Sequence, residues 1–422
     1  MTTARDYADE AIVLRSAMRS IFAFERPRMC GTIACMPEAG VSVFDDRDGR
    51  HASYHGVMTC NSVHACPVCS GKIRAKKGAK IEGAMRIGTR VASWFNGARF
   101  RMLTFTIRHD GSESLLSQRK GLMGALRRFR KNGTVQRLWK KHVFASVRAI
   151  EVTYGLFGWH PHLHLVLLTT EWTEEEIAVL DRAWRDAVLD ELGEQAEPDP
   201  AHGLMWTAER ANTAYYLSKL GLEMTHVSAK RARGIESRNQ WDIARDATDK
   251  NSPTREHSIM LWREYETAMK GVRCIEMDDR MAAMSKHAAQ MIECDCCGEL
   301  SEPYEKNCVG CGEELPDEDD RAAAAASVTK IRASLEARDF RAIRRAERIE
   351  PRVLSKVLEA AARAGPITER IIVERIDALL ATIGVLGYVA GEVVARWEVR
   401  QEEKKRLAAR AREGWEWMNA AS

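Results

Sequence analysis

The sequence predicts an α/β (α+β) protein: a central antiparallel sheet flanked by helices, with metal-binding cysteine modules and a helical C-terminal region. Three observations carry that expectation. Residues 145–153 and 159–168 alternate in character and are joined by the turn-forming Tyr154–Gly158 segment, the pattern of an antiparallel strand pair. Helical periodicity marks the stretches around that pair, from Ile73 to Phe95, Ser114 to Lys131 and Thr173 to Leu192. Eleven cysteines fall mostly in two clusters, and 422 residues leave room for roughly two to three domains.

The second strand of the pair reads Trp159-His160-Pro161-His162-Leu163-His164-Leu165-Val166-Leu167-Leu168. Side chains alternate faces along a strand, so His160, His162 and His164 share one face while Leu163, Leu165 and Leu167 pack behind them. Two imidazoles at i and i+2 can hold one divalent ion when a core fixes their direction, and the Leu/Val run supplies that core. On the preceding strand Val147, Ala149, Glu151 and Thr153 share a face. Antiparallel pairing then puts Glu151 near His162 and His164.

Upstream, residues 1–28 read as a polar arm with one short helix. Cys30, Cys35, Cys60, Cys66 and Cys69 follow, with His51, His55 and His64 among them. Cys60, Cys66 and Cys69 are the expected zinc ligands of this segment, with Cys30, Cys35 or His64 as the fourth. The helix from Ile73 carries Lys76 and Lys77 near its start, and Asn96-Gly97 turns the chain into a strand from Arg99 to Arg108. The helix beginning at Ser114 ends in Arg127, Arg128, Arg130 and Lys131, where cations also suit the helix dipole. A short helix then carries Trp139, Lys140 and Lys141.

Downstream, Thr173 and Glu176 form the signature of a capping box. Leu204–Thr207 reads as a short strand, Glu209–Leu222 as a helix, and Val227–Pro253 as a polar, loop-rich stretch. Cys294-x2-Cys297-Gly298 and Cys308-x2-Cys311-Gly312 give two knuckles ten residues apart, the spacing of a zinc ribbon, with Cys296 spare. Beyond an acidic linker at 316–320, the chain from Arg321 is Ala-, Glu- and Arg-rich and reads as almost wholly helical.

Formal net charge is only +4, but its distribution is uneven. Between Lys72 and Lys141 nineteen Lys and Arg face three acids, which suits a polyphosphate partner. Lys76, Lys77, Arg127, Arg128, Arg130 and Lys131 are the expected DNA contacts. The opening residues are polar and charged, and the uncharged stretch Ala378–Gly391 spans only fourteen residues, too short to cross a bilayer. A cytoplasmic protein without membrane contact is expected, and its cysteines are expected to bind metal rather than form disulfides.

The triplet His162-Leu163-His164 resembles that of the HUH single-strand endonucleases, with Tyr215-Tyr216-Leu217-Ser218-Lys219-Leu220 similar to their nucleophile segment. Leu103-Thr104-Phe105-Thr106-Ile107-Arg108 resembles their first strand motif, and Leu261–Gly271 a late one. Order and spacing are most similar to the replication initiators of bacterial rolling-circle plasmids, over roughly residues 55–280. These initiators carry a similar Cys-Pro-x-Cys segment before the first motif. The resemblance implies an HUH nuclease core at 96–280, between a zinc-bearing segment with its basic helix at 1–95 and a ribbon at 290–315. A helical accessory domain at 321–422 follows.

Its implied activity is nicking of single-stranded origin DNA by a tyrosine, with Mn²⁺ or Mg²⁺ held by His162, His164 and Glu151 and structural Zn²⁺ at the two cysteine clusters. Tyr216 stands three before Lys219, as the family pattern requires, whereas Tyr215 projects about 100° away on a helix. Some members have a glutamate one turn before the tyrosine. Here that position is Asn212, and Glu209 is the nearest carboxylate. Leu220 stands where the family often has another tyrosine. Single- and double-stranded origin DNA, a host helicase and a polymerase are the implied partners, and an oligomer is compatible. Rival expectations are an HUH transposase or relaxase, and a zinc-dependent DNA-binding regulator without nuclease activity.

Overall fold

The computed structural model describes residues 4–46, 49–92, 97–199, 203–207, 237–317, 329–335, 337–349, 351–363 and 368–382. In chain order come α1 (Ala4–Ala17), α2 (Glu25–Met29), β1 (Gly40–Asp46), β2 (Gly49–His55), α3 (Pro67–Val91) and β3 (Arg99–Phe105). Then follow α4 (Leu115–Lys131), α5 (Gly133–His142), β4 (Val143–Gly155), β5 (Gly158–Thr169), α6 (Glu174–Leu192) and β6 (Leu204–Thr207). Next are β7 (Ser237–Asn239), α7 (Gln240–Thr248), α8 (Arg255–Ala268), β8 (Ile275–Met277), α9 (Asp279–Ala288), β9 (Ile292–Glu293) and β10 (Leu300–Ser301). The last are β11 (Thr329–Ser334), α10 (Ala337–Ile349), α11 (Val353–Ala362) and α12 (Glu369–Thr382). Two compact units emerge, Met1–Arg28 with Cys60–Glu318 and Met29–Thr59 with Asp319–Ser422.

The first unit is built on an antiparallel sheet in the order β6-β3-β5-β4, with β7 and β8 both pairing β4. β5 is central because its apolar side chains can be covered on both faces. Leu163, Leu165 and Leu167 are fully buried on one face, against α4 and α6 through Leu122, Leu126, Phe129, Leu180 and Trp184. Trp184 stacks edge-on against Phe105 at 4.9 Å, and its indole N–H donates to the Thr106 carbonyl at 2.9 Å. The buried polar end of this largest side chain is thereby satisfied.

On the other face Val166 and Leu168, with Val147 and Ala149 of β4, meet Ile81 and Ala84 of α3 and Met281 of α9. This cluster covers the half of the sheet remote from the β4–β5 turn, and the histidines lie on the other half of the same face, with His162 and His164 each 13% exposed. A third cluster joins α1, α7 and α8 to the back of the hairpin, where Val152 and Trp159 pack with Phe22, Trp241, Trp262 and Tyr265.

Several expectations change. Residues 1–28 are not a polar arm: α1 runs for 14 residues, and Leu14, Met18, Ile21 and Phe22 are buried because they seal that third cluster. The basic helix starts at Pro67 rather than Ile73, since Cys66 caps it and proline suits the first helical turn. Part of Val227–Pro253 is helical. Asn239 and Asp242 form a reciprocal capping box at the head of α7, and Trp241, Ile243, Ala244 and Ala247 are buried. Thr173 and Glu176 form the expected capping box on α6.

In the second unit β1, β2 and β11 make a three-stranded antiparallel sheet in the order β11-β1-β2. The supposedly all-helical tail therefore contains a strand, and its backbone groups pair with β1 from Gly40 to Asp45. Val41 and Val43 are fully buried, as are Val353, Leu354 and Val357 of α11, and Tyr54 donates its hydroxyl hydrogen to the Leu354 carbonyl at 3.0 Å. Gly384, Gly387 and Gly391 lie outside the described residues. Among the described residues no helix is long and apolar enough to cross a membrane.

Leu165→Ala removes a fully buried side chain from the middle of the central strand. It is expected to lower the unfolding free energy by about 2–5 kcal/mol, read as a shift of the urea midpoint, whereas Met205→Ala, at 41% exposure on β6, is expected to shift it by no more than about 0.5 kcal/mol.

Candidate metal centre

β4 and β5 pair in one register from Ala145 to Gly155, and this register sets Glu151 opposite His162 and Ala149 opposite His164. Glu151 Oε2 lies 3.0 Å from His162 Nε2 and 3.1 Å from His164 Nε2. These three ligand atoms form one group. Adjacent ligands of an octahedral divalent ion, at about 2.1 Å from the metal, stand about 3.0 Å apart, so the separation fits Mg²⁺ or Mn²⁺.

Protonation makes the same point. His162 Nδ1 faces the His160 carbonyl at 3.4 Å, and a carbonyl only accepts, so Nδ1 carries the hydrogen and Nε2 presents a lone pair. Across β3, Thr104 pairs with His164, and its hydroxyl oxygen lies 3.0 Å from His164 Nδ1. The Thr104 hydroxyl can accept from His164 Nδ1, and in that tautomer His164 Nε2 is likewise a lone pair. Burial holds the His162 imidazole down at about 4 and that of His164 at about 3, so both are neutral at pH 7. Two imidazole lone pairs and a carboxylate then converge with no hydrogen among them. That donor set calls for a cation.

The row continues past the centre. His160, opposite Thr153, donates from Nδ1 to His109 Nε2 at 2.6 Å, and His109 Nδ1 donates to the Phe157 carbonyl at 2.8 Å. Burial, with the neighbouring His162 and His109 in support, lowers the His160 imidazole to about 4. Thr104 and His109 had no assigned role in the sequence. The signal for Thr104 was a lone polar residue between Leu103 and Phe105, facing the same way as the histidines.

Four thiols, Cys294, Cys297, Cys308 and Cys311, close the ribbon, with Cys294–Cys311 sulfurs 3.7 Å apart and Cys297–Cys308 sulfurs 3.5 Å apart. Zinc–sulfur bonds of about 2.3 Å set tetrahedral sulfur–sulfur edges at about 3.8 Å, whereas a disulfide requires about 2.05 Å. The Cys311 and Gly310 amides push the Cys308 thiol down to about 6, which readies it as a thiolate. A second group in the first unit brings together Cys60, Cys66 and Cys69, with Cys60 and Cys69 sulfurs 3.7 Å apart. His64 is instead turned away from the thiols. Its Nε2 donates to the Val272 carbonyl at 3.1 Å and its Nδ1 meets the Tyr265 hydroxyl at 3.3 Å. Both thiol groups offer ligands for zinc.

The expected DNA contacts fall on opposite faces of the sheet, Lys76 and Lys77 on α3 and the other four on α4. Lys77 donates to the Ile275 carbonyl at 2.7 Å, and Arg128 pairs with Glu191 at 2.6 Å. Lys76, Arg127, Arg130 and Lys131 are exposed. Arg86 and Arg90 of α3 hold the ribbon through Glu293 and the Leu300 carbonyl. Tyr215, Tyr216, Lys219, Glu209 and Asn212 lie outside the described residues.

Residues 52–186 match the replication protein family. That stretch is similar to a replication protein. A relative of similar sequence, the protein rep of Streptomyces lividans, is 28% identical over 308 residues, covering 57% of this chain and 66% of the relative. The neomycin resistance protein of Streptomyces cyanogenus is 30% identical over 165 residues, 33% of this chain and 36% of that protein. The chain thus spans less than two thirds of each relative's length. No solved structure matches it. The matched stretch contains Thr104, Glu151, His162 and His164.

Thr104→Val keeps the shape but removes the oxygen facing His164. Calorimetric titration with Mn²⁺ is expected to show a 10- to 100-fold loss of affinity, the usual effect of removing a partner that orients a metal-binding histidine. Unchanged affinity would mean that Thr104 does not orient the imidazole. For the ribbon, Cys308→Ser is expected to lower bound zinc from two ions per chain to one by elemental analysis, with the Mn²⁺ titration unaffected.

Proposed function

We propose that this protein initiates plasmid replication by nicking single-stranded origin DNA, using His162, His164 and Glu151 to hold Mn²⁺ or Mg²⁺ and Tyr216 as nucleophile. The observation that carries the proposal is the convergence of two neutral imidazoles and a carboxylate on one point of a sheet face, within the stretch that matches the replication protein family. A bound divalent ion supplies positive charge to the non-bridging oxygens of a phosphodiester, where negative charge grows in the transition state. An imidazole-rich set suits Mn²⁺ at least as well as Mg²⁺.

The protein's own groups divide the remaining work. Thr104 and the His160 carbonyl hold the two imidazoles in one tautomer and direction. Tyr216 loses its phenolic proton and its oxygen forms a bond to phosphorus, while the bond from phosphorus to the 3′ oxygen breaks. That oxygen leaves with the electron pair and takes up a proton, giving a primer end and a 5′-phosphotyrosyl link. The link keeps the phosphodiester energy for strand rejoining. Lys219, one turn on from Tyr216, would lower the phenol's pKa or steady the phosphate. With Asn212 in place of a carboxylate, Glu209 is the nearest acid for activating water in a terminating hydrolysis. The protein acts in the cytoplasm on single- and double-stranded origin DNA, with a helicase and polymerase of the host.

The test incubates labelled single-stranded origin DNA with the protein in Mn²⁺ or EDTA and compares wild type, Tyr216→Phe and Tyr215→Phe. A metal-dependent covalent adduct is expected from wild type and Tyr215→Phe, and none from Tyr216→Phe. Tight binding of the origin strand without cleavage or capture in any metal would replace this reading with that of a DNA-binding regulator.

A further inference from the structure

The tip of the β4–β5 hairpin is apolar and exposed. Leu156 is 81% and Phe157 63% exposed, although strand pairing closes directly beneath them at Gly155 and Gly158. A two-residue hairpin tip ordinarily carries polar or turn-forming residues. A leucine and a phenylalanine side by side in that place are costly to leave in water.

The tip is also fastened at several points. The Phe157 carbonyl accepts from His109 Nδ1, and His109 in turn accepts from His160, two residues before the metal-facing His162. Gly158 and Gly111, both at positive φ (82° and 84°), lie so close that a Cβ on Gly158 would come within 2.9 Å of the Gly111 Cα. A Cβ on Gly111 would in turn meet the Phe157 carbonyl oxygen at 3.2 Å. Below, Tyr154 packs edge-on against the buried Trp159 at 5.0 Å. Fastening of this kind fixes the direction of two exposed side chains relative to the histidine row. Nothing in the core requires them to face outward.

We propose that Phe157, with Leu156 beside it, is a stacking platform for an unpaired base of the DNA strand whose phosphate lies at His162, His164 and Glu151. The inference rests on the nuclease reading above. A flat aromatic ring suits an unpaired base of any sequence, because every base has a π-face. Distance selects which base. Five residues of strand separate Phe157 from His162, about 16 Å at about 3.3 Å per residue. At about 3.4 Å per stacked nucleotide that is about five nucleotides, and fewer where the strand is stretched. The platform therefore meets a base on the order of three to five nucleotides from the scissile phosphate. It holds the strand in line with the metal-binding residues.

The experiment uses the full chain as wild type, Phe157→Ala, Phe157→Trp and Leu156→Ser, with fluorescence anisotropy on single-stranded origin oligonucleotides and single-turnover cleavage in Mn²⁺. 2-Aminopurine is placed at successive positions on either side of the cleavage point. Phe157→Ala is expected to weaken single-strand binding about 5- to 150-fold and Phe157→Trp to restore it, with Mn²⁺ affinity unchanged. One 2-aminopurine position, three to five nucleotides from the cut, is expected to be quenched in wild type and bright in Phe157→Ala. If Phe157→Ala binds and cuts as wild type does, the platform is overturned while the nuclease reading stands. If it only lowers the melting temperature, the tip packs within the protein and the inference is likewise overturned. Binding that depends on Phe157 in a wild type that never cuts would retain the platform and remove the nuclease reading. A wild type that binds no single strand would remove both.

Discussion

Antiparallel register between β4 and β5 is the constraint on which the candidate site depends. A slip of one residue would turn Glu151 to the face where Leu163 is buried and leave the imidazoles without a carboxylate. The apolar residues prevent that slip. Leu163, Leu165 and Leu167 can be buried against α4 and α6 only when His160, His162 and His164 face the other way. Stability and chemistry are thus specified by the same alternation. The packing that fixes the strand also fixes the direction of its ligands.

Burial at this centre has a second effect. The three imidazoles stay neutral far below their ordinary range because the surroundings disfavour an added charge, so their lone pairs are available without competition from protons. Thr104 and the His160 carbonyl then choose which nitrogen is free. The outcome is a donor set whose geometry precedes the ion, in contrast to a flexible surface pair that must be gathered on binding. The four-thiol ribbon follows the same logic with different means, since backbone amides at Cys311 and Gly310 stabilise the Cys308 thiolate.

Where neighbours along the chain determine structure, the sequence was readable. The strand pair, the capping box at Thr173 and Glu176, the short strand at Leu204 and the ribbon all follow from local periodicity or spacing. Legibility failed where distant partners decide. Thr329–Ser334 sits in an Ala- and Arg-rich stretch that reads as helix, yet its backbone pairs with β1. α7 was hidden by a polar neighbourhood, and its identity depended on Trp241 finding Trp262. At the site, His162, His164 and Glu151 were visible as types and spacings, while Thr104 and His109 became visible only once strands were side by side. Five of the six expected DNA contacts are exposed, all but Lys77. Lys77 and Arg128 already have a carbonyl and a carboxylate within reach, which charge counting cannot see.

The second unit draws its sheet from two distant parts of the chain: β1 and β2 precede every strand of the first unit, and β11 follows them all. A ribosome makes β1 long before its outer partner exists. Until β11 emerges, β1 offers a row of unpaired amides and carbonyls along one side, the template on which foreign strands add. Loss of the late segment would expose that edge permanently. The order of synthesis, as well as the final contacts, then bears on whether this protein accumulates as soluble molecules or as aggregates.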